Sequence, residues 1–242
     1  RLELGFFERK TANTLKVSGF SDKVDLGEIG SVKTDPTVVM RVEVKGGAPR
    51  EFMRMRGAAL ETYDGKGWKM TIRRAKKVPT DALGIFLTGK KGKGMIEQHI
   101  LLEPLETDVI FAASFPAIVD GRFPCLMSDP SGTLSLPAIP YSRLEYKVWS
   151  SPGARIENSP PETAPFLDVA ELEKDQSWSS VKRLALEITK GVRGAAAKAS
   201  AIERYLKANY GYTLSPETGK GSTPLEDFLF YTKAGYCEHF AT

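Results

Sequence analysis

The chain changes its hydrophobic period once. Up to about residue 150 apolar positions alternate with polar ones, and later they recur every three or four residues. Val38, Met40, Val42 and Val44 share one face and Arg41, Glu43 and Lys45 the other, the pattern of a half-buried strand. Ile96, Ile100 and Leu102 alternate with Glu97, His99 and Leu101, and Leu144, Tyr146 and Val148 with Arg143, Glu145 and Lys147. Phe52-Met53-Arg54-Met55-Arg56 is short and mixed. Tyr63-Asp64-Gly65-Lys66-Gly67-Trp68 places an Asp-Gly turn between two segments and predicts a hairpin. No helical stripe persists here, so residues 1–152 are expected to form an antiparallel β domain, with sandwich and barrel both open. Ser150-Ser151-Pro152-Gly153 and Asn158-Ser159-Pro160-Pro161 then read as a linker.

Beyond the linker the spacing turns helical. Trp178, Val181, Leu184, Ile188 and Val192 line one face, opposite Lys182, Arg183, Glu187 and Lys190. Ala199, Ile202, Leu206 and Asn209 form a second stripe that stops at Tyr210-Gly211-Tyr212, with Glu203 and Lys207 paired one turn apart. Thr223-Pro224-Leu225-Glu226 predicts a helix start: threonine caps, proline suits the first turn, and glutamate reaches back to complete the box. Leu225, Phe228 and Leu229 give that helix an apolar side, and the chain is expected to turn at Ala234-Gly235.

Composition narrows the class. The 242 residues are 41% hydrophobic and 26% charged, which excludes a disordered or collagenous chain. No run approaches the roughly 18 apolar residues of a membrane span. A net charge of +4 is too small to indicate nucleic acid. Two cysteines, Cys125 and Cys237, exclude a disulfide-dense miniprotein, and two histidines, His99 and His239, leave little for a metal site. Opening on Arg1 without a leader, the sequence reads as an excerpt of a longer protein.

The sharpest chemical feature is Gly235-Tyr236-Cys237-Glu238-His239-Phe240-Ala241. A glycine just ahead of a cysteine that opens a helix lets the chain turn and lets a substrate approach the backbone. The free N–H groups of a helix start favour a thiolate and can hold the oxyanion of a tetrahedral intermediate. With Pro224-Leu225-Glu226-Asp227-Phe228-Leu229-Phe230 upstream, this segment resembles the nucleophile region of the transglutaminase-like superfamily, closest to its bacterial membrane-anchored branch of cysteine acyltransferases and peptidases. The helix at residues 201–206 running into Asn209-Tyr210-Gly211-Tyr212-Thr213-Leu214 resembles the helix and tyrosine-bearing turn ahead of that nucleophile. Asp25-Leu26-Gly27-Glu28-Ile29-Gly30 and the Arg56-Gly57 to Trp68 stretch are similar to the family's β-rich region.

The resemblance implies an α+β chain: an extracytoplasmic, non-catalytic antiparallel β domain over 1–152, then residues 160–242 as the helical half of a papain-like transglutaminase core ending in the nucleophile helix. It implies thiol-dependent acyl transfer on protein or peptide carboxamides, with Cys237 as nucleophile, its backbone N–H as oxyanion donor, Tyr212 as a second oxyanion candidate, and no metal or organic cofactor. Family members complete the site with a histidine and an acid that follow the cysteine helix, so residues 1–242 alone are expected to be inactive. His239 does not substitute, because two residues along a helix turn its side chain about 200° from that of Cys237. It reads as a packing or hydrogen-bonding residue, and His99 as a surface residue of a strand.

Other features carry less. Gly84-Ile85-Phe86-Leu87-Thr88-Gly89-Lys90-Lys91 nearly spells a phosphate-binding loop but ends in lysine where Ser or Thr is needed. Arg73, Arg74, Lys76, Lys77, Lys90, Lys91 and Lys93 form two basic clusters, read as solvated turns with an anionic lipid surface as the alternative partner. Cys125 sits among apolar residues and reads as a packed thiol. Glu226, Asp227 and Glu238 read as capping and surface groups. The apolar sides bearing Leu225, Phe228, Leu229 and Phe240 lack their expected partner and are expected to favour homo-oligomers or to be covered by the β domain. The alternative to an enzyme is a non-catalytic envelope-binding module using the β domain.

Overall fold

The computed structural model describes residues 23–25, 36–46, 53–70, 75–89, 92, 94–152, 176–217 and 220–242. Residues 26–30, Phe52, Gly153, 158–161, Arg73, Arg74, Lys90, Lys91 and Lys93, on which several expectations fall, lie outside the described residues. The chain is α+β, and it forms two compact units that are not consecutive stretches. The first holds the described residues of 36–59 and 75–152, the second those of 23–25, 60–70 and 176–242. The Tyr63–Trp68 hairpin, expected in the β domain, therefore groups with the helices.

In the first unit, five antiparallel strands pair in the order Met40–Lys45, Ile96–Leu102, Leu144–Ser150, Pro116–Gly121, Phe86–Leu87. Alternation sets which face is buried: Ile100 lies opposite both Val42 and Tyr146, and Val119 opposite Val148. A second sheet runs Lys76–Lys77, Met127–Ser128, Leu134–Ser135, Val109–Ile110. Both sheets contribute to one core, with Phe86, Ile100, Val119 and Val148 from the larger and Val109, Ile110 and Leu134 from the smaller. Among the described residues this is a sandwich-like pair of sheets.

Gln98 and Tyr146 carry polar groups into the buried interior of this unit, each with hydrogen-bond partners. Gln98, on the apolar face of its strand, is fully buried; it accepts from the Ala113 N–H at 2.6 Å and donates to Ser150 Oγ at 2.9 Å. The Tyr146 hydroxyl accepts from the Phe111 N–H at 3.2 Å and donates to the Phe111 carbonyl at 2.9 Å.

In the second unit, Lys23–Asp25, Gly67–Lys69 and Thr62–Tyr63 form a three-stranded antiparallel sheet. Its tight turn is made by Asp64, whose carboxylate accepts from the N–H groups of Lys66 at 3.1 Å and Gly67 at 2.9 Å, while Gly65 takes φ +90°. Helix α1 spans Gln176–Ile188. It ends before Val192, which was expected on its stripe, because the chain turns through Gly191 at φ +77°. Helix α2 spans Ala195–Asn209, with Lys207 Nζ 2.5 Å from Glu203 Oε1. Tyr210 follows it, buried, its hydroxyl donating to the Leu229 carbonyl at 2.8 Å.

Candidate active site

Helix α3, Pro224–Glu226, starts where the sequence places it, with Thr223 Oγ1 accepting from the Glu226 N–H at 3.2 Å. The glutamate closes the box one residue earlier than expected, accepting from the Ser222 N–H at 2.8 Å and hydroxyl at 2.6 Å. Asp227 Oδ1 accepts from the backbone N–H groups of Lys220 and Gly221, so both carboxylates are capping groups. The helix then winds as a π-helix over Asp227–Thr232. Lys233, at φ +47°, makes the turn expected at Ala234-Gly235. Ala234–Gly235 instead forms a short strand parallel to Gly211–Tyr212.

Helix α4, Cys237–Ala241, follows directly. Cys237 opens it and is exposed, as an unhindered thiol requires. Its N–H occupies the first helical position, where no intrahelical acceptor exists. Gly235 plays a different part from the one expected. Its φ is ordinary, and a Cβ there would lie 2.8 Å from His239 Cγ and 3.0 Å from Phe228 Cδ2. Glycine is required by packing under α4, and the turn belongs to Lys233.

His239 is buried, its Nδ1 accepting from the Tyr236 N–H at 3.4 Å. Its ring packs edge-on against Tyr236 at 4.4 Å and tilted against Phe228 at 5.3 Å. The sequence expectation of a packing and hydrogen-bonding residue matches this placement. His99 lies in the first unit, with Nε2 2.7 Å from Glu145 Oε1. Cys125 is half-buried beside Met127, its thiol 3.6 Å from the thioether sulfur. Lys76 and Lys77 are exposed on a short strand.

One expectation is overturned. Leu225, Phe228 and Leu229 are buried with Tyr210, and Phe240 packs half-buried against them, so these residues form a core and not an exposed face. Phe228 meets Tyr210 at 5.0 Å and Phe240 at 5.2 Å. Tyr212 is 65% exposed, its ring stacked on Phe240 at 6.3 Å and 25°. Sequence reasoning missed Tyr236, which is 2% exposed and anchors the start of α4. The only signal was its apolar bulk at the residue before a helix.

The hairpin of the second unit reaches the far end of α4. Trp68 Nε1 donates to Thr242 Oγ1 at 2.9 Å, and that hydroxyl donates to the Glu238 carbonyl at 2.9 Å. Tyr63 packs between Trp68 at 5.4 Å and Trp178 at 6.2 Å. Burial, and then the Asp64 charge beside it, raises the Tyr63 phenol above its usual range.

Comparison with known proteins brings these parts together. A model of the TgpA N-terminal domain matches residues 1–157, and a model of the transglutaminase-like superfamily matches residues 182–242. A protein-glutamine gamma-glutamyltransferase of Pseudomonas aeruginosa is 27% identical over 228 residues, 93% of this chain. The chain spans only 32% of that relative's length. The periplasmic domain of TgpA from the same organism, solved bound to ethylmercury, is 25% identical with a TM-score of 0.70, covering 92% of this chain and 75% of that one. A second structure of that domain has a TM-score of 0.67 and supports the fold.

Proposed function

Because the chain belongs to the TgpA N-terminal domain family and continues into a transglutaminase-like superfamily segment, we propose that its parent protein performs thiol-dependent acyl transfer on protein or peptide carboxamides. The chain is an extracytoplasmic domain. The Cys237 sulfur attacks the carboxamide carbon, giving a tetrahedral intermediate whose oxyanion is held by the Cys237 N–H. Tyr212, whose hydroxyl is borne on the neighbouring strand, is the second donor in this reading. The C–N bond breaks, ammonia leaves with the proton taken from the thiol, and a thioester remains. An amine resolves it to a new amide and water resolves it to a carboxylate.

The observation that carries this reading is an exposed thiol at the first position of α4, on a backbone held from behind by buried His239, Tyr236 and Phe228. Preorganisation of that kind keeps the sulfur and its N–H in fixed relation. His239 already accepts from the Tyr236 N–H, so the proton acceptor is another group, and we assign a histidine held by a carboxylate to the parent protein outside residues 1–242.

Two measurements test the reading. In the parent protein Cys237→Ala lowers incorporation of a fluorescent amine into a glutamine peptide by about 10³-fold or more, with the far-UV spectrum unchanged. Iodoacetamide modifies exposed Cys237 well ahead of half-buried Cys125. Turnover that survives Cys237→Ala rules the reading out. Residues 1–242 alone are expected to give no turnover in the same assay.

A further inference from the structure

We infer that the outward face of the Tyr212 ring is a binding platform for the apolar side chain flanking the carboxamide that reacts at Cys237. The inference rests on Cys237 being the nucleophile. Cys237 and Phe240 stand three residues apart on α4, which puts them on one face of the helix. Phe240 is supported from below by Phe228, edge-on at 5.2 Å and 67°. Tyr212 lies alongside Phe240, its ring offset at 6.3 Å and inclined by 25°. Its backbone is fixed by pairing with Gly235, two residues before Cys237, and by the Thr213 N–H donating to the Gly235 carbonyl at 2.8 Å.

The Tyr212 ring packs beside that of Phe240 while 65% of the residue is open to solvent, and its strand pairs with Gly235, which leads into exposed Cys237. A tyrosine has only two side-chain torsions to order, and its backbone here is already paired, so stacking against its ring is cheap in entropy and favours flat or bulky apolar groups. The same ring carries the hydroxyl proposed as an oxyanion donor, and the two roles separate cleanly. Tyr212→Phe keeps the face and removes the hydroxyl, whereas Tyr212→Ala removes both.

The test is binding to the full-length protein carrying Cys237→Ala, where no chemistry intervenes. Isothermal titration compares benzyloxycarbonyl-Gln-Gly, which has an aromatic group beside the glutamine, with acetyl-Gln-Gly. The aromatic peptide is expected to bind about three- to tenfold tighter. That preference survives Tyr212→Phe and disappears in Tyr212→Ala. A preference unchanged in Tyr212→Ala, equal affinities at the outset, or no binding of either peptide overturns the platform. A second readout needs no change at Tyr212: its ring proton resonances shift with the aromatic peptide and stay in place with the acetyl one, and an unshifted ring overturns the inference equally. Acylation of the unsubstituted protein is scored separately. A protein that shows the binding preference but is never acylated at Cys237 defeats the nucleophile assignment and leaves the platform standing.

Discussion

A methyl group at Gly235 would press on His239 Cγ at 2.8 Å and Phe228 Cδ2 at 3.0 Å, both parts of buried rings that cannot swing away. Gly235→Ala is therefore expected to destabilise the second unit by about 1–3 kcal/mol, read as a lower denaturant midpoint at constant slope. In the first unit, Tyr146→Phe removes both hydrogen bonds between its hydroxyl and the Phe111 backbone and should cost about 1–3 kcal/mol. Burial raises the Tyr146 phenol above its ordinary range, although the bond with Phe111 pulls the other way. A proton held more tightly in the folded state stabilises it fully below the unfolded value near 10, and that contribution is lost as pH rises beyond it. Absorbance at 295 nm should show late-ionising tyrosines, Tyr146 and Tyr63 among them, that titrate only as the fold is lost; ionisation of every tyrosine ahead of unfolding would contradict this. The position of Cys237 at a helix start was legible at this scale, because the glycine and the residues around it are a local signature. The reason for Gly235 was not, since its constraint comes from rings met only after the chain folds back.

At the scale of elements, period-two alternation recovered the long strands Ile96–Leu102 and Leu144–Ser150, whose inward residues are buried in strict register. The same alternation puts Gln98 on the face of Ile96 and Ile100, but its polar side chain argues against burial until its partners Ala113 and Ser150 are known. The segment after Thr223 shows the same limit. Leu225, Phe228 and Leu229 suit an α-helix and a π-helix alike, and Asp227–Thr232 winds as a π-helix with Phe228 and Leu229 packed among Tyr210 and Phe240. The hairpin was legible from its turn. Burial raises the Asp64 carboxyl, but hydrogen bonds from the N–H groups of Gly67 and Lys66 and the Lys69 ammonium outweigh it and hold it below its usual range. The hairpin is thus strengthened above the unfolded value near 3.9 and weakens as pH falls through the lower folded one. What the hairpin does for α4 is testable: Trp68→Phe removes the donor to Thr242 Oγ1, and amide exchange in α4 should accelerate by about three- to tenfold while the sandwich core is unaffected. Unchanged exchange in α4 would show that the indole bond does not support the helix.

Across the whole molecule the main departure is the division of the chain. Hydrophobic period is a local property, and it separated β from α at the change of spacing near residue 150. The units form by contact, and contact assigned residues 60–70 to the helices through Trp68, Tyr63 and Trp178. The buried cluster of Leu225, Phe228, Leu229 and Tyr210 belongs to the same lesson: an apolar face without a partner in the sequence pattern found one from its own unit. These features make the second unit a firm mount for one exposed sulfur. The most direct test is to quench the parent protein during turnover of a glutamine peptide and locate the bound acyl group by peptide mass spectrometry. The account predicts the added mass on the peptide containing Cys237, released by hydroxylamine and absent from Cys237→Ala. An acyl group on another residue, or turnover through Cys237→Ala with no covalent adduct, would contradict it.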